Sequence, residues 1–253
     1  MSMRVSSFVL FAICAAGALQ LAAALRPDEA VAILLNSKNS VSASRFAEAK
    51  ETVEREAAAG RPVAQFALGV TTDDKAQAEK NLAASRDEIR RLAEKKNDPL
   101  AWYLLSVEKN DMAFLEKAVK GGNVQALNAM GTILSQRAFE IRASLSTNAL
   151  ERVLVRSFTC FSKAAAQRDP NGYVNLGTCY LYGYGCRRDK TMAVFCFEAA
   201  AEAGHPEGMD NLSECYKVGN GVEKDDELSL YWAMRGRATR GDEAAAKWLK
   251  ERR

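Results

Sequence analysis

The 253 residues are 48% hydrophobic and 26% charged, with 5 prolines and 8% aromatic residues, a composition that can build one or two folded domains with a core. It excludes a chain disordered throughout and a collagen-like repeat. The formal charge of +3 comes from interspersed basic and acidic residues, so we expect no nucleic-acid partner. The single histidine disfavours a histidine-based metal site, and we expect neither a metal nor a cofactor.

The N-terminus has the pattern of an export signal. Arg4 supplies a positive charge, residues 8–19 are an apolar run, and Ala22 to Ala24 form a small-residue cleavage site. We predict a signal peptide over residues 1–24, removed before Leu25. The mature protein would then lie in the secretory pathway, periplasmic or extracellular, or in the endoplasmic reticulum lumen of a eukaryote, with no stable membrane span. Two alternatives stay open: a retained anchor, for which the apolar stretch is short, and a lipoprotein modified at Cys14.

A repeated break divides the rest of the chain. Four prolines each follow a short polar pair, and the same break recurs without proline at residues 122–123 and 241–242. A glycine or its neighbour typically ends one helix. A polar N-cap residue, followed by proline in the first turn, typically starts the next helix. The breaks are mostly about 35 to 46 residues apart, the period of a solenoid. The prolines are Pro62, Pro99, Pro170 and Pro206.

Two units superpose directly at an offset of 36 residues. Within each unit, apolar and small residues recur at helical spacing, a glycine pair marks the turn, and an alanine-rich helix follows. We expect the glycines to adopt positive φ in that turn. Helices of this length cannot bury an apolar stripe alone, so neighbouring hairpins must stack. The coincident residues are Asn175, Leu176, Cys179, Tyr180, Gly183 and Gly185 with Asn211, Leu212, Cys215, Tyr216, Gly219 and Gly221.

Residues 175–205 and 211–242 resemble Sel-1-like repeats, the αα units related to tetratricopeptide repeats. In the family pattern, a Leu-Gly pair is followed by Tyr, a Gly-x-Gly loop, Asp and an Ala-Ala helix. The residues that resemble it here are Leu176 and Gly177, Tyr180, Gly183 and Gly185, Asp189, and Ala200 and Ala201. The resemblance implies an all-α, right-handed α-solenoid of Sel-1-like hairpins. It fades upstream, where residues 132–152 are about ten residues too long for the pattern.

These features predict three parts of the chain. They are the signal peptide over 1–24, degenerate helical hairpins over 25–170, and two well-formed repeats with a capping helix near residues 242–252 over 171–253.

The cysteines allow several arrangements. Cys160 with Cys179 and Cys196 with Cys215 are each symmetric about a predicted inter-hairpin turn, which favours disulfides in an exported protein. The rival pairing of Cys179 with Cys196 is symmetric about the glycine loop, and five free thiols acting as small hydrophobes are the further alternative. Cys186 replaces the loop valine of the family, and we expect a buried or half-buried thiol there.

Candidate catalytic residues are few. Ser106 and Lys109 match the Ser-x-x-Lys pattern of penicillin-recognising enzymes, and a cysteine-rich branch of the Sel-1-like family has been linked to β-lactams. The companion motifs of those enzymes are absent from the sequence. His205 falls at an inter-helix turn, so we expect a turn residue there.

The sequence therefore favours an exported, non-catalytic scaffold that binds a protein or peptide partner along the groove formed by successive first helices. A cell-wall or β-lactam-directed enzyme resting on Ser106 and Lys109 is one alternative, and a thiol-based factor resting on Cys186 is another. The candidate groove residues are Asn175, Thr178, Tyr182, Asn211, Ser213 and Glu214.

Overall fold

The computed structural model describes residues 25–36, 41–142 and 146–252, and within these ranges the chain is built from helices without a strand. The predicted signal peptide lies outside the described residues. Thirteen helices follow one another in the described ranges, and consecutive helices pack side by side as antiparallel pairs. The predicted all-α solenoid of stacked hairpins is confirmed.

Each hairpin consists of a first helix, called the A helix, and a second helix, called the B helix. The first three hairpins are α1 (Pro27–Asn36) with α2 (Ala43–Ala58), α3 (Pro62–Thr71) with α4 (Lys75–Lys96), and α5 (Pro99–Lys109) with α6 (Met112–Lys120). The next three are α7 (Val124–Ile141) with α8 (Thr147–Ala166), α9 (Pro170–Tyr182) with α10 (Lys190–Glu202), and α11 (Pro206–Val218) with α12 (Asp226–Thr239). The terminal helix α13 (Glu243–Lys250) packs on α12.

The predicted breaks are the joints between hairpins. At each joint one residue has positive φ, with values from 51° at Asn97 to 97° at Gly241. Arg168 occupies this position with φ of 61° where four other joints have glycine. The next residue is the N-cap of the following A helix, and its side chain accepts a backbone N–H at every joint but Arg61. Positive φ ends one helix and the cap starts the next, which turns the chain back on itself.

In two hairpins a phenylalanine ring of the B helix packs directly against a glycine of the A helix. A Cβ placed on Gly131 would lie 2.4 Å from Cε1 of Phe161, and one on Gly177 would lie 2.6 Å from Cε1 of Phe197. Any side chain at these glycines would therefore push the paired helices apart. The two phenylalanines are 36 residues apart and the two glycines 46, so the excess length of residues 132–152 is accommodated between α7 and α8.

The first four hairpins share one hydrophobic core. The cluster runs from Leu25 and Val31 through Phe66 and Leu104 to Cys160 and Ala164. Helix α1 contacts α2, the neighbouring A helix α3, and also α7 of the fourth hairpin. The first helix therefore packs on two A helices of the N-terminal half, α3 and α7, in addition to its own partner α2.

The last hairpins repeat the close approach of a loop to the preceding B helix. Gly185 and Gly221 have φ of 71° and 84°, and a Cβ on either would lie 2.2 Å from a backbone oxygen, that of Leu154 or of Lys190. The two oxygens belong to residues 36 positions apart, like the glycines themselves. Gly183 and Gly219 have φ of 77° and 71°, so the predicted positive φ in the glycine turns is confirmed.

Candidate functional site

The predicted groove residues lie at different depths. Tyr182 and Glu214 are exposed, and Glu214 pairs with Lys217 at 3.2 Å. Asn175, Thr178 and Asn211 are half-buried, and the Thr178 hydroxyl donates to the Val174 carbonyl oxygen at 3.0 Å. The described geometry thus leaves Tyr182 and Glu214 as the members with most of their surface free.

Ser213 is not a surface residue. It is buried between α11 and α12, where its hydroxyl donates to the Ser229 carbonyl oxygen at 2.8 Å. The repeat offset of 36 places Ser213 at the position of Gly177, which faces the hairpin interior. The prediction that Ser213 lines the groove is therefore corrected, because this position faces the B helix.

An aromatic patch, formed by Phe139, Tyr182 and Tyr184, lies at the end of helices α7 and α9. The ring of Tyr182 stacks on that of Tyr184 with centroids 5.4 Å apart, and Phe139 meets Tyr184 edge-on at 5.0 Å. Tyr182 is 58% exposed and Phe139 is 43% exposed. The central Tyr184 ring therefore contacts both other rings, and Tyr182 and Phe139 leave much of their apolar surface in water, as at many binding surfaces.

A basic cleft adjoins the aromatic patch through the loop that carries Tyr184. It has a volume of about 680 Å³ and is lined by Phe158, Tyr180 and residues 186–190. The two rings meet edge-on with centroids 5.4 Å apart. The cleft combines an aromatic wall with the side chains of a charged loop.

The loop gives the cleft a positive charge. Arg187, Arg188 and Lys190 are exposed, and none of them forms an ion pair with a carboxylate among the described residues. Arg188 is oriented by a hydrogen bond from its Nε to the Leu181 carbonyl oxygen at 2.9 Å. The carboxylate of Asp189 accepts the Met192 N–H at 3.0 Å as the N-cap of α10. The cleft therefore favours an anionic group.

The described cysteines form neither predicted disulfide. All five are free thiols. Cys160 belongs to the N-terminal core while Cys179 and Cys196 share the next hydrophobic cluster, and Cys215 lies in the last one. Each predicted pair is thus divided between two clusters. Equal distance from a turn sets the height of two side chains but not the direction in which they point.

Burial makes these thiols weak nucleophiles. It raises the pKa of Cys179 and Cys196 to about 12 and that of Cys215 to about 11. Cys186 is half-buried, as predicted, and its Sγ donates to the Cys179 carbonyl oxygen at 3.5 Å. Burial also raises the pKa of Cys186, with Asp189 adding to the effect. This environment does not activate a catalytic thiol.

His205 is the N-cap of α11, so the predicted turn position is confirmed. It is 2% exposed, its Nδ1 accepts the Gly208 N–H at 3.3 Å, and its Nε2 lies 3.1 Å from Oδ1 of Asn171 on α9. Because Nδ1 accepts, the proton sits on Nε2 and is donated to Asn171. Burial lowers the pKa of His205 to about 4, with the Arg240 charge as a smaller cause. The imidazole is therefore neutral and structural.

The Ser-x-x-Lys pair has structural partners. The buried Ser106 hydroxyl donates to the Tyr103 carbonyl oxygen at 2.6 Å, and Lys109 lies 3.3 Å from the Glu108 carboxylate. Glu108 in turn accepts the Arg86 Nε–H at 2.8 Å. These contacts give no support to a serine nucleophile at this position. In the described residues, no group of three or more His, Cys, Asp or Glu side chains is arranged to hold a metal ion.

Within the described ranges, none of the helices combines the length and the apolar character that crossing a bilayer requires.

Sequence reasoning named Tyr182, but it missed Phe139, Phe158 and the basic cleft. Phe139 lies in the over-long stretch 132–152, where the repeat pattern gives no register. The one available signal was the run of basic residues in the loop of residues 183–189, where the next repeat has Glu223 and Lys224.

Stacked hairpins of antiparallel helices define a helical-repeat protein of the solenoid class. The Sel1 repeat family model matches residues 147–169, 170–205 and 206–233, about a third of the chain. The chain thus carries three Sel1 repeats, which confirms the resemblance, and this repeat is generally a scaffold for protein–protein interaction. No curated protein matches the chain significantly.

Two solved structures are similar to the chain in fold. A Sel1 repeat protein from Oxalobacter formigenes is 23% identical over 51% of this chain and 90% of that protein, with a TM-score of 0.42. A protective antigen present in uropathogenic Escherichia coli strains, which displays an SLR fold, is 21% identical over 79% of this chain, with a TM-score of 0.47. This chain covers 44% of the antigen's length.

Proposed function

We propose that the protein is an exported, non-catalytic Sel1-repeat scaffold that binds an extended acidic peptide segment of a partner protein. The segment would lie on the aromatic patch and extend into the basic cleft. The observation that carries this proposal is the cluster of Phe139, Tyr184 and Tyr182, in which the Tyr184 ring contacts both other rings while Tyr182 and Phe139 keep a large exposed area. A monomeric protein gains nothing in stability from leaving such rings in water.

The position of the patch agrees with binding along the A helices. Tyr182 ends α9, and Val218, 36 residues later, ends α11 and is also 58% exposed. Neighbouring A helices α9 and α11 are in contact. In the N-terminal half α1 lies against the A helices α3 and α7, which leaves the C-terminal repeats as the more accessible part of the inner face.

Charge supports an acidic segment as the occupant. Arg187, Arg188 and Lys190 border the cleft, while Asp189 uses its carboxylate as a helix cap. A carboxylate of the partner would meet unpaired cations, and an aromatic or aliphatic side chain beside it would cover Tyr182. Arginine and tyrosine are among the residue types that contribute most often to binding energy at protein interfaces.

Peptide selection tests the proposal directly. An unbiased random peptide library is panned on the purified protein and on a variant with Arg187→Glu and Lys190→Glu. We expect acidic peptides with an aromatic or aliphatic residue to be enriched on the parent protein and lost on the variant. Enrichment of the same peptides on both proteins, or of basic peptides on the parent, would contradict the proposed occupant.

The matched control reverses charges outside the cleft. Lys224 and Lys247 are exposed lysines on the last loop and on α13, and the variant Lys224→Glu with Lys247→Glu changes the net charge by the same amount. It should enrich the same peptides as the parent protein. A loss of the acidic peptides on this control would mean that net charge, and not the cleft, selects them.

A further inference from the structure

The backbone nitrogen of Leu25 lies against an acidic side chain of the second helix. It donates to Oε1 of Glu48 on α2 at 3.2 Å. The Leu25 side chain is 6% exposed and belongs to the N-terminal hydrophobic core. Leu25 is therefore held by two contacts: its side chain packs in the core, and its backbone nitrogen donates to a carboxylate.

This nitrogen is also the atom that the predicted processing step would release. Hydrolysis of the Ala24–Leu25 peptide bond by a signal peptidase adds one water molecule, leaves a carboxylate on Ala24, and gives Leu25 a free amine that takes up a proton. We propose that this new α-ammonium group of Leu25 pairs with Glu48 and fastens α1 to α2 in the mature protein. A neutral N–H donor is thereby replaced by a charged one, which strengthens a hydrogen bond to a carboxylate.

The contact matters because of what α1 does. Helix α1 contacts α2, α3 and α7 and so bridges the first and the fourth hairpins. Fixing Leu25, two residues before α1 begins at Pro27, to α2 would hold this helix in place. Cleavage would then complete the fold of the N-terminal half in addition to releasing the chain.

The carboxylates nearest in sequence to this end of α1 are Asp28 and Glu29, and both lie against the Arg26 guanidinium. Arg26 is paired with Glu29 at 2.6 Å and lies 4.0 Å from Asp28. Helix α3 has no titratable side chain, and Arg137 and Glu140 on α7 are exposed. The charged residues of α2 besides Glu48 are Arg45, Lys50, Glu51, Glu54, Arg55 and Glu56.

The pairing should shift the pKa of the Leu25 α-amine in a direction that can be measured. A carboxylate neighbour raises the pKa of an amine above the usual α-amino value of about 7.7 to 8.0. The stabilisation is present below that range and is lost as pH rises through the raised pKa. A rise of one unit lowers the fraction of unprotonated amine at neutral pH about tenfold, and with it the rate of acylation.

The inference rests on the proposed export, and its test uses the full chain with its own signal in an exporting bacterium. Wild type, Glu48→Gln and the control Glu51→Gln, an exposed carboxylate of the same helix, are purified from the exported fraction. Intact mass gives the N-terminal residue, and the acylation rate of the α-amine against pH gives its pKa in the folded protein.

We expect Leu25 as the first residue, an α-amine pKa above the usual range in wild type and in Glu51→Gln, and an ordinary pKa in Glu48→Gln with about tenfold faster acylation at pH 7. An N-terminus two or more residues from Leu25, or the same pH profile in wild type and Glu48→Gln, would overturn the inference. If Glu48→Gln does not accumulate, an ordinary α-amine pKa in wild type alone overturns it. Failure of peptide binding by a correctly processed protein would remove the proposed partner and leave this contact standing.

Discussion

The ring of Phe197 lies directly on the backbone of Gly177, so that the B helix of the fifth hairpin touches the main chain of its A helix. Phe161 and Gly131 have the same relationship in the fourth hairpin. Aromatic side chains are otherwise hard to accommodate between two closely packed helices. The Leu-Gly pair of the repeat thus has a structural reason, because the phenylalanine ring occupies the space that a side chain at the glycine position would need.

The first prediction concerns this contact. Gly177→Ala should destabilise the protein by about 1–3 kcal/mol, because the added methyl group overpacks the contact with Phe197 by more than the gain of up to about 1 kcal/mol in helix propensity. Urea denaturation measures the change. In a Phe197→Leu background the cost of Gly177→Ala should shrink, since a smaller side chain leaves room. Equal costs in both backgrounds would show that the ring is not the cause.

The second prediction separates backbone conformation from close approach. Gly221 and Gly204 both have positive φ, 84° and 85°, but a Cβ at 204 would have no atom within 4 Å, whereas one at 221 would lie 2.2 Å from the Lys190 carbonyl oxygen. Gly204→Ala should cost about 1–2 kcal/mol from φ alone. Gly221→Ala should cost clearly more in the same urea denaturation. Similar costs would contradict the close approach of loop and helix.

The third prediction is a pH dependence set by His205. Its pKa in the folded protein is lowered to about 4 from an ordinary value of 6.5, so folding favours the neutral ring. The stability that this ring contributes is therefore present above pH 6.5 and is lost as pH falls toward 4. Between pH 7 and 5 the loss should be about 2 kcal/mol. The measurement is chemical denaturation at each pH.

The matched variant for that experiment is His205→Asn. Asparagine is the N-cap at residue 123, the corresponding joint of the fourth hairpin, and it does not titrate. The variant should lose the His205 contribution to the pH slope between pH 7 and 5 while remaining folded. An unchanged slope would assign the pH dependence to other groups.

The fourth prediction concerns the thiols. Cys186 should be alkylated first in the folded protein at pH 8, at least about tenfold faster than Cys179 and Cys196, because burial keeps those two protonated. After unfolding without reductant, all five described cysteines should react. Mass spectrometry of the labelled peptides gives both results. A pair that stays protected after unfolding would be a disulfide and would contradict the free thiols of this structure.

Much of the fold could be predicted from local signals. The residues that end and start helices, such as Gly204, His205 and Pro206, act through their own backbone and caps, so their spacing revealed the hairpins and the period. The glycine loops were assigned for the same reason. These interactions span only a few residues and are therefore visible in the sequence.

The candidate site depended on contacts that no short pattern encodes. Phe139 reaches Tyr184 across 45 residues, and the basic cleft needs α8 and the loop after α9 together. The predicted disulfides are absent among the described residues because the packing of whole hairpins sets the side-chain directions of Cys160 and Cys179, and no short sequence pattern encodes that packing. Ser213 was wrongly assigned to the groove, although the offset of 36 residues aligns it with Gly177, which faces the hairpin interior.

The affinity of a selected acidic peptide for three proteins tests the proposed binding surface. These are the parent, a patch variant with Tyr182→Ser, Arg187→Glu and Lys190→Glu, and the control with Lys224→Glu and Lys247→Glu. Titration calorimetry should show binding to the parent and the control within about twofold of each other, and a loss of more than about tenfold in the patch variant. That loss is the effect expected when anchor residues are removed. Helical content and the melting temperature should stay close to the parent's values in both variants, since surface substitutions usually change stability by less than about 0.5 kcal/mol. Undiminished binding by a folded patch variant would show that the partner binds elsewhere on the protein.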